Sequence, residues 1–371
     1  MRQNSQIPVT FYCLSQKPDF FDGDFWRKIR KFLPLAVVFL ALLILMALNT
    51  NSADVDYYRF VFTRLENGDN YRSVEYGYWL LCKICVTLGI SFYPFKLLSS
   101  FIALIFISSF VGDYTDKPEM VLLCYFFYPF LLDVAQFRHF LALSLVLFST
   151  KFLRKGNATG YFIFAFSIFI AAFVHEIALA YFVLIGGAFL DNKKTILASA
   201  AIALFFIAFH KVIPSLWLYE VIIGARKSQD DYAAGMRLSQ FVMYFGFYSF
   251  LALLMVFLRY GLKLSYTKKE DFLLRISLIS YSLSPAMLID YQFSRIFRGM
   301  IIALYCFIIL SLQKIESKKI RVLGIAGIFG VLFAVFVKLF GRSSGYWDTL
   351  TKPIFRDNML LSRIFSFLDS V

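Results

Sequence analysis

Arg138, Arg295 and Arg298 stand singly at or near the ends of apolar runs, away from every basic cluster. A guanidinium stays charged in apolar surroundings and presents a rigid fork of donors suited to phosphate. Arg295 and Arg298 are three residues apart, so on a helix they share one face. Snorkelling to headgroups accounts for one such arginine; three, accompanied by a histidine, point to an anionic ligand. His175, followed by Glu176, lies between two apolar stretches and is one of three histidines. A neutral imidazole, with its ordinary pKa of about 6.5, can take a proton from a hydroxyl or give one to a leaving oxygen. A packed, hydrogen-bonded histidine is the alternative. His139 adjoins Arg138, but helix neighbours point about 100° apart, so it need not share Arg138's direction. His210, beside Lys211, reads as structural.

Carboxylates and aromatics come next, in Asp54-Val-Asp56-Tyr57-Tyr58-Arg59-Phe60 and Glu75-Tyr-Gly-Tyr78-Trp79. Sugars are held by aromatic faces against their C–H surfaces and by charged acceptors for their hydroxyls. Glu75 or Asp56 could deprotonate such a hydroxyl, and a salt bridge with Arg59 or Arg72 is an equal alternative. Interfacial Tyr and Trp are also routine in membrane proteins. The loop 212–238 carries Arg226 and Arg237 among glycines, acids and tyrosines, as a mobile cover or a plain connection would. Asp54, Asp56, Tyr57, Tyr78, Arg226, Arg237 and Tyr291 are thus the candidate substrate contacts. No metal signature and no nucleotide-binding glycine motif is present, so no cofactor is expected. Cys82-Lys-Ile-Cys85 has redox spacing but no second ligand pair, and reads as helix packing.

The elements that must position these residues are membrane helices. The 371-residue chain is 60% hydrophobic and 17% charged, against about 25% charged in soluble domains. Its formal charge of +14 falls in short loops beside apolar runs, which argues for membrane orientation and against nucleic acid. Apolar runs lie near 32–48, 76–92, 95–111, 119–135, 139–153, 159–174, 176–190, 195–211, 239–258, 271–289, 296–313 and 320–340. The first is expected to stay as an uncleaved anchor. If all twelve cross, the basic loops at 151–155, 193–194 and 268–269 fall outside, against the tendency of Lys and Arg to stay inside. Removing one crossing repairs all three. The 76–92 run is short and holds Lys83 midway, so it is expected not to cross but to form an amphipathic or re-entrant helix on the outer face.

The resulting fold is an all-α polytopic membrane protein of about 11 transmembrane helices (10–12) in a single membrane domain, 1–371. An outer loop with the re-entrant helix spans 51–92, and a second outer loop spans 212–238. The tail 341–371 falls outside, interfacial or as a weak further span. All of the candidate site residues then lie on the outer side.

The order Asp…Tyr-Tyr-x-Phe (54–60), Glu-x-Gly-Tyr (75–78), Gln-Phe-Arg-His-Phe-Leu-Ala (136–142), Phe-Val-His-Glu (173–176) and Ser-Arg-Ile-Phe-Arg (294–298) resembles the EpsG/Wzy family of O-antigen and exopolysaccharide polymerases. Family members often have Arg-Gln at Arg138-His139 and His-Ser at His175-Glu176. The resemblance implies transfer of a glycan from an undecaprenyl-diphosphate carrier onto a lipid-linked repeat unit, at the outer face of a bacterial cytoplasmic membrane. It implies Arg138, Arg295 and Arg298 as diphosphate ligands, and His175 or Glu75 as the proton-transfer residue. Metal and nucleotide are not needed, because the sugar arrives already activated. Lipid-linked oligosaccharides, membrane lipid and a chain-length regulator are the implied partners. An O-antigen ligase, a polyprenyl-phosphate-dependent glycosyltransferase and a flippase are the alternatives.

Overall fold

Every regular element among the described residues is a helix. In hydrocarbon each backbone polar group must be satisfied within the protein, and a helix does this by itself. The computed structural model describes residues 23–52, 54–70, 72–213 and 236–368. In chain order the helices are α1 (Gly23–Ala47), α2 (Val55–Glu66), α3 (Tyr76–Thr87), α4 (Phe92–Gly112), α5 (Pro118–Ala135), α6 (Phe137–Leu153), α7 (Ala158–Val174) and α8 (Glu176–Phe189). They continue as α9 (Asn192–Phe209), α10 (Leu238–Tyr260), α11 (Lys268–Tyr281), α12 (Ser294–Gln313), α13 (Lys318–Phe340), α14 (Lys352–Arg356) and α15 (Leu361–Leu368).

Among the described residues, six segments are long and apolar enough to cross a membrane: Phe92–Gly112, Pro118–Ala135, Asn192–Phe209, Leu238–Tyr260, Tyr291–Gln313 and Lys318–Phe340. Phe32–Ala47, Ala158–Val174 and Glu176–Phe189 are apolar but shorter. α8 compensates by its geometry. Its first eight residues, Glu176–Val183, are a 3₁₀-helix, which rises about 2.0 Å per residue. With six α-helical residues at about 1.5 Å, the segment reaches roughly 25 Å. α3, with 12 residues, reaches only about 18 Å, well short of the ~30 Å hydrocarbon core.

α12 is the axis of the bundle, with every side chain from Ile296 to Leu312 buried. α5, α6, α8, α10 and α11 pack around it. α9 and α13 are peripheral and expose Leu197, Leu204, Phe205, Leu323 and Phe333. Large apolar side chains turned outward are what a lipid-facing surface requires.

The connections sort to two ends. At one end Arg154 meets Asp113 (3.2 Å), Thr115 bonds Gln313 (3.0 Å), Lys314 bonds Glu270 (2.6 Å), and Asn192 bonds Asp271 (2.8 Å). These contacts tie the 112–118, 154–157, 190–192, 261–267 and 314–317 connections together. Four helices start here with a side-chain cap: Asn157 for α7, Asp191 for α9, Thr267 for α11 and Ser317 for α13. Each cap satisfies an N–H that the first turn leaves unpaired, and Thr267 with Glu270 forms a capping box. At the other end lie α2, α3 and the C-terminal segment. Asn358 Nδ2 donates to the Ile44 carbonyl (2.9 Å) and the Met359 N–H to that of Leu48 (2.8 Å), so the tail clasps the end of α1. α15, eight residues long, is too short to form a further span.

Candidate functional site

Two helix breaks at the α2/α3 end create the site. Gln136 (φ −92°, ψ 58°) separates α5 from α6, and His175 (φ −155°, ψ 114°) separates α7 from α8. Each break turns a helix-terminal side chain toward Glu75, the residue just before α3. Glu75 Oε1 lies 2.9 Å from His175 Nδ1, and its Oε2 forms an ion pair with Arg138. A carboxylate beside a guanidinium is ionised and can only accept hydrogen bonds, so the Nδ1–H of His175 donates. In the neutral ring Nε2 then carries the lone pair and can accept a proton. His175 is 5% exposed, while Glu75 and Arg138 retain 14% and 19%, so the site keeps an opening.

Arg138 is further placed by aromatic faces, its guanidinium carbon 5.4 Å from the Tyr58 ring and 5.9 Å from that of Tyr78. Such contacts hold a cation without neutralising it. His139 packs edge-to-face on His175, with ring centroids 5.7 Å apart. Helix spacing alone does not bring it there, since neighbours on a helix point about 100° apart. The break at Gln136 reorients the start of α6, so that both residue 138 and residue 139 face the site. Both ring nitrogens of His139 are buried with no hydrogen-bond partner among the described residues.

Asp54, ahead of α2, lies within electrostatic range of Arg295 and Arg138. Burial pushes its carboxyl above the usual range, and the two arginines pull it back. Arg295 makes no hydrogen bond or ion pair with a described residue; Arg298, Tyr58, Asp54 and Tyr291 are its electrostatic neighbours.

Arg298, one turn deeper on α12, is 4% exposed. It pairs with Asp133 at 3.3 Å and donates to Gln136 Oε1. Tyr125 donates its hydroxyl to Asp133 (2.8 Å), so the buried carboxylate has two partners. Arg298 thereby holds the break that aims Arg138. Asp133 escaped the sequence reading, although a lone carboxylate in the 119–135 run was its signal. Lys96 was missed too: it is 1% exposed and donates to the Asn49 carbonyl at 2.8 Å.

Other candidates lie apart from this group. Asp56 pairs with Arg59 at 2.6 Å on the surface, the salt-bridge alternative raised for it. Tyr57 is exposed and donates to the Ser73 carbonyl (2.8 Å). Tyr78 is fully buried, its ring turned to Arg138. Tyr291 and Arg237 are exposed at the starts of the α12 and α10 segments. Arg226 and most of the 212–238 loop lie outside the described residues. Among the described residues no three metal-ligating side chains converge. His210 bonds the Ile207 carbonyl (2.8 Å), a structural contact.

The position of Glu75 depends on how α3 docks. A Cβ built on Gly77 would lie 2.7 Å from the Phe173 backbone of α7, two residues before His175. Gly77→Val is therefore expected to lift α3 and separate Glu75 from His175. Misplacement by about 1 Å can cost 10²-fold in rate. Activity should fall roughly 100-fold, with thermal unfolding in detergent lowered by about 1–3 kcal/mol for overpacking. Wild-type turnover would show that α3 docking does not set the site.

No curated protein and no solved structure matches the chain significantly. The model of the EpsG family matches residues 32–351, a span that contains all of the described helices from the body of α1 to the end of α13 and every residue of the Glu75 site. On that match the chain belongs to the EpsG family, a family of Wzy-like polymerases.

Proposed function

We propose that the protein is a polysaccharide polymerase that transfers a glycan from an undecaprenyl-diphosphate carrier to the hydroxyl of a second lipid-linked repeat unit. The observation that carries this reading is the Glu75 carboxylate joined to both His175 and Arg138. That group lies at the end of the bundle opposite the basic connections. Eleven segments (α1 and α4 to α13) then run between the ends, with the basic loops on the cytoplasmic side and the site on the periplasmic or exterior side.

In this reading the acceptor hydroxyl loses its proton to His175, oriented by Glu75, as its oxygen bonds the anomeric carbon. The bond from that carbon to the diphosphate breaks, and its electron pair leaves with the diphosphate oxygen. Arg295 and Arg138 stabilise the charge gathering there. Arg298 belongs to the same cationic group and acts mainly by holding Gln136. Asp54 offers an acceptor for sugar hydroxyls between the two arginines.

The test is incubation of purified protein with a synthetic undecaprenyl-diphosphate repeat unit, with products resolved by gel and mass spectrometry. Wild type should give a ladder of added repeats. Arg295→Ala should insert and unfold close to wild type, because it breaks no hydrogen bond or ion pair with a described residue, yet lose roughly 10²–10³ in rate, as removal of a transition-state donor does. A ladder unchanged in Arg295→Ala would remove that arginine from the diphosphate role; no ladder from wild type would overturn the polymerase reading. Asp54 beside the arginines favours one second reading, a glycosyltransferase with an acidic base and a polyprenyl-monophosphate donor. Turnover of the monophosphate donor alone would select it.

A further inference from the structure

The end of the bundle opposite the Glu75 site holds a cavity of about 380 Å³. It is formed where the α6–α7 turn, the end of α8 and the start of α11 meet. Four cations line it, Arg154, Lys268, Lys269 and Arg275, over an apolar floor that includes Leu153 and Phe272. They come from two distant parts of the chain, so clustering of neighbouring residues in one basic loop does not account for them.

The charges are unevenly satisfied. Arg275 is fixed in the wall, with Nε on the Gly187 carbonyl (2.8 Å) and Nη1 on Asn192 (3.3 Å). Arg154 gives Nη2 to Asp113 (3.2 Å), while its Nη1 is buried with no partner among the described residues. Lys268 and Lys269 make no hydrogen bond or ion pair with a described residue, and Lys269 Nζ lies 5.2 Å from the Tyr114 ring. Of the nearby acids, Glu270 is bonded to Lys314 and Asp271 to Arg259; Asp271 and Asp191 also lie within electrostatic range of Arg275, and among the described residues only Asp113 is ion-paired to a lining cation. A buried guanidinium N–H without an acceptor is costly, and Lys268 and Lys269, neither of them ion-paired to a described residue, add the complementary charge for an anion with several oxygens.

We propose that this cavity is a phosphate-binding site, filled at the basic membrane surface by the headgroup of an anionic phospholipid. Arg154 and Arg275 form the fixed rear wall, Lys268 and Lys269 close over the phosphate, and the apolar floor accepts the start of the acyl chains. Basic pockets between transmembrane helices are suited to such headgroups. A soluble phosphate offers the same chemistry, and the experiment separates the two sources. The site is independent of the glycan-transfer reading.

Full-length protein, stripped of lipid in detergent, is titrated with phosphatidylglycerol under native mass spectrometry and, separately, with inorganic phosphate by calorimetry. Wild type should retain one tight phosphatidylglycerol. Lys268→Gln/Lys269→Gln, which breaks no ion pair, should bind it roughly 30-fold more weakly, from about fivefold per surface lysine. Ala188→Phe fills the cavity without changing charge and should abolish the tight lipid. Inorganic phosphate binding lost in both variants, without tight lipid, would keep the phosphate site and assign it a soluble ligand. Equal lipid and phosphate binding by wild type and both variants, or binding of neither by wild type, would overturn the proposal.

Discussion

Glu75→Gln is expected to lower the rate of glycan transfer about 10³-fold while the bundle inserts and unfolds close to wild type. The carboxylate does two things at once in this site. One oxygen sets the orientation and tautomer of His175, and the other holds Arg138 between Tyr58 and Tyr78. Glutamine is nearly isosteric, but it is neutral and cannot accept at both positions. His175 then loses the charge that stabilises its protonated form, and Arg138 loses its anchor. Positioned proton transfer is worth about 10²–10⁴ in rate, which sets the expected loss. The measurement is kcat and KM on the synthetic lipid-linked repeat, with a pH–rate profile. A change confined to KM, or activity within threefold of wild type, would remove Glu75 from the chemistry. Glu75→Asp keeps the charge but shortens the reach, so it should recover part of the lost rate.

Arg298→Met should act on stability first. Asp133 is fully buried, and Arg298 is its only ion-pair partner among the described residues. Removing one member of a buried ion pair leaves an uncompensated charge and costs about 3–5 kcal/mol. Thermal unfolding in detergent should register that loss, and activity should fall with it because Gln136 is no longer held. Arg298→Met/Asp133→Asn removes both charges and should recover most of the stability. Recovery of stability without activity would separate the packing of the break from the cationic role of Arg298. Equal stability of wild type and Arg298→Met would mean that the pair contributes nothing to the fold.

Much of the architecture was legible in one dimension because hydrocarbon imposes its own grammar. Apolar runs must be helices, and the basic connections had to share a side. The structure ties the 112–118, 154–157, 190–192, 261–267 and 314–317 connections together at one end, and within 76–92 it forms the 12-residue α3. The long run at 161–190 does break at His175, where the backbone leaves the helix. Periodicity did not foretell that Glu176–Val183 winds as a 3₁₀-helix, because an apolar run reads alike at either pitch.

Residue types at span ends were likewise enough to single out Glu75, Arg138, His175, Arg295 and Arg298, because an isolated charge beside an apolar run needs a reason to be there. Their pairing was not legible. Glu75 is 63 residues from Arg138 and 100 from His175, and no periodicity relates positions on three different helices. Asp56, chemically as good a base as Glu75, is spent on Arg59 at the surface. The side-chain directions of Arg138, His139 and His175 depended on the breaks at Gln136 and His175. Sequence by itself determined a helical membrane bundle with its charges sorted to two ends, because burial of charge in hydrocarbon is too costly to allow otherwise. Only the tertiary structure decided which carboxylate meets which cation, because that depends on where separate helices end relative to one another.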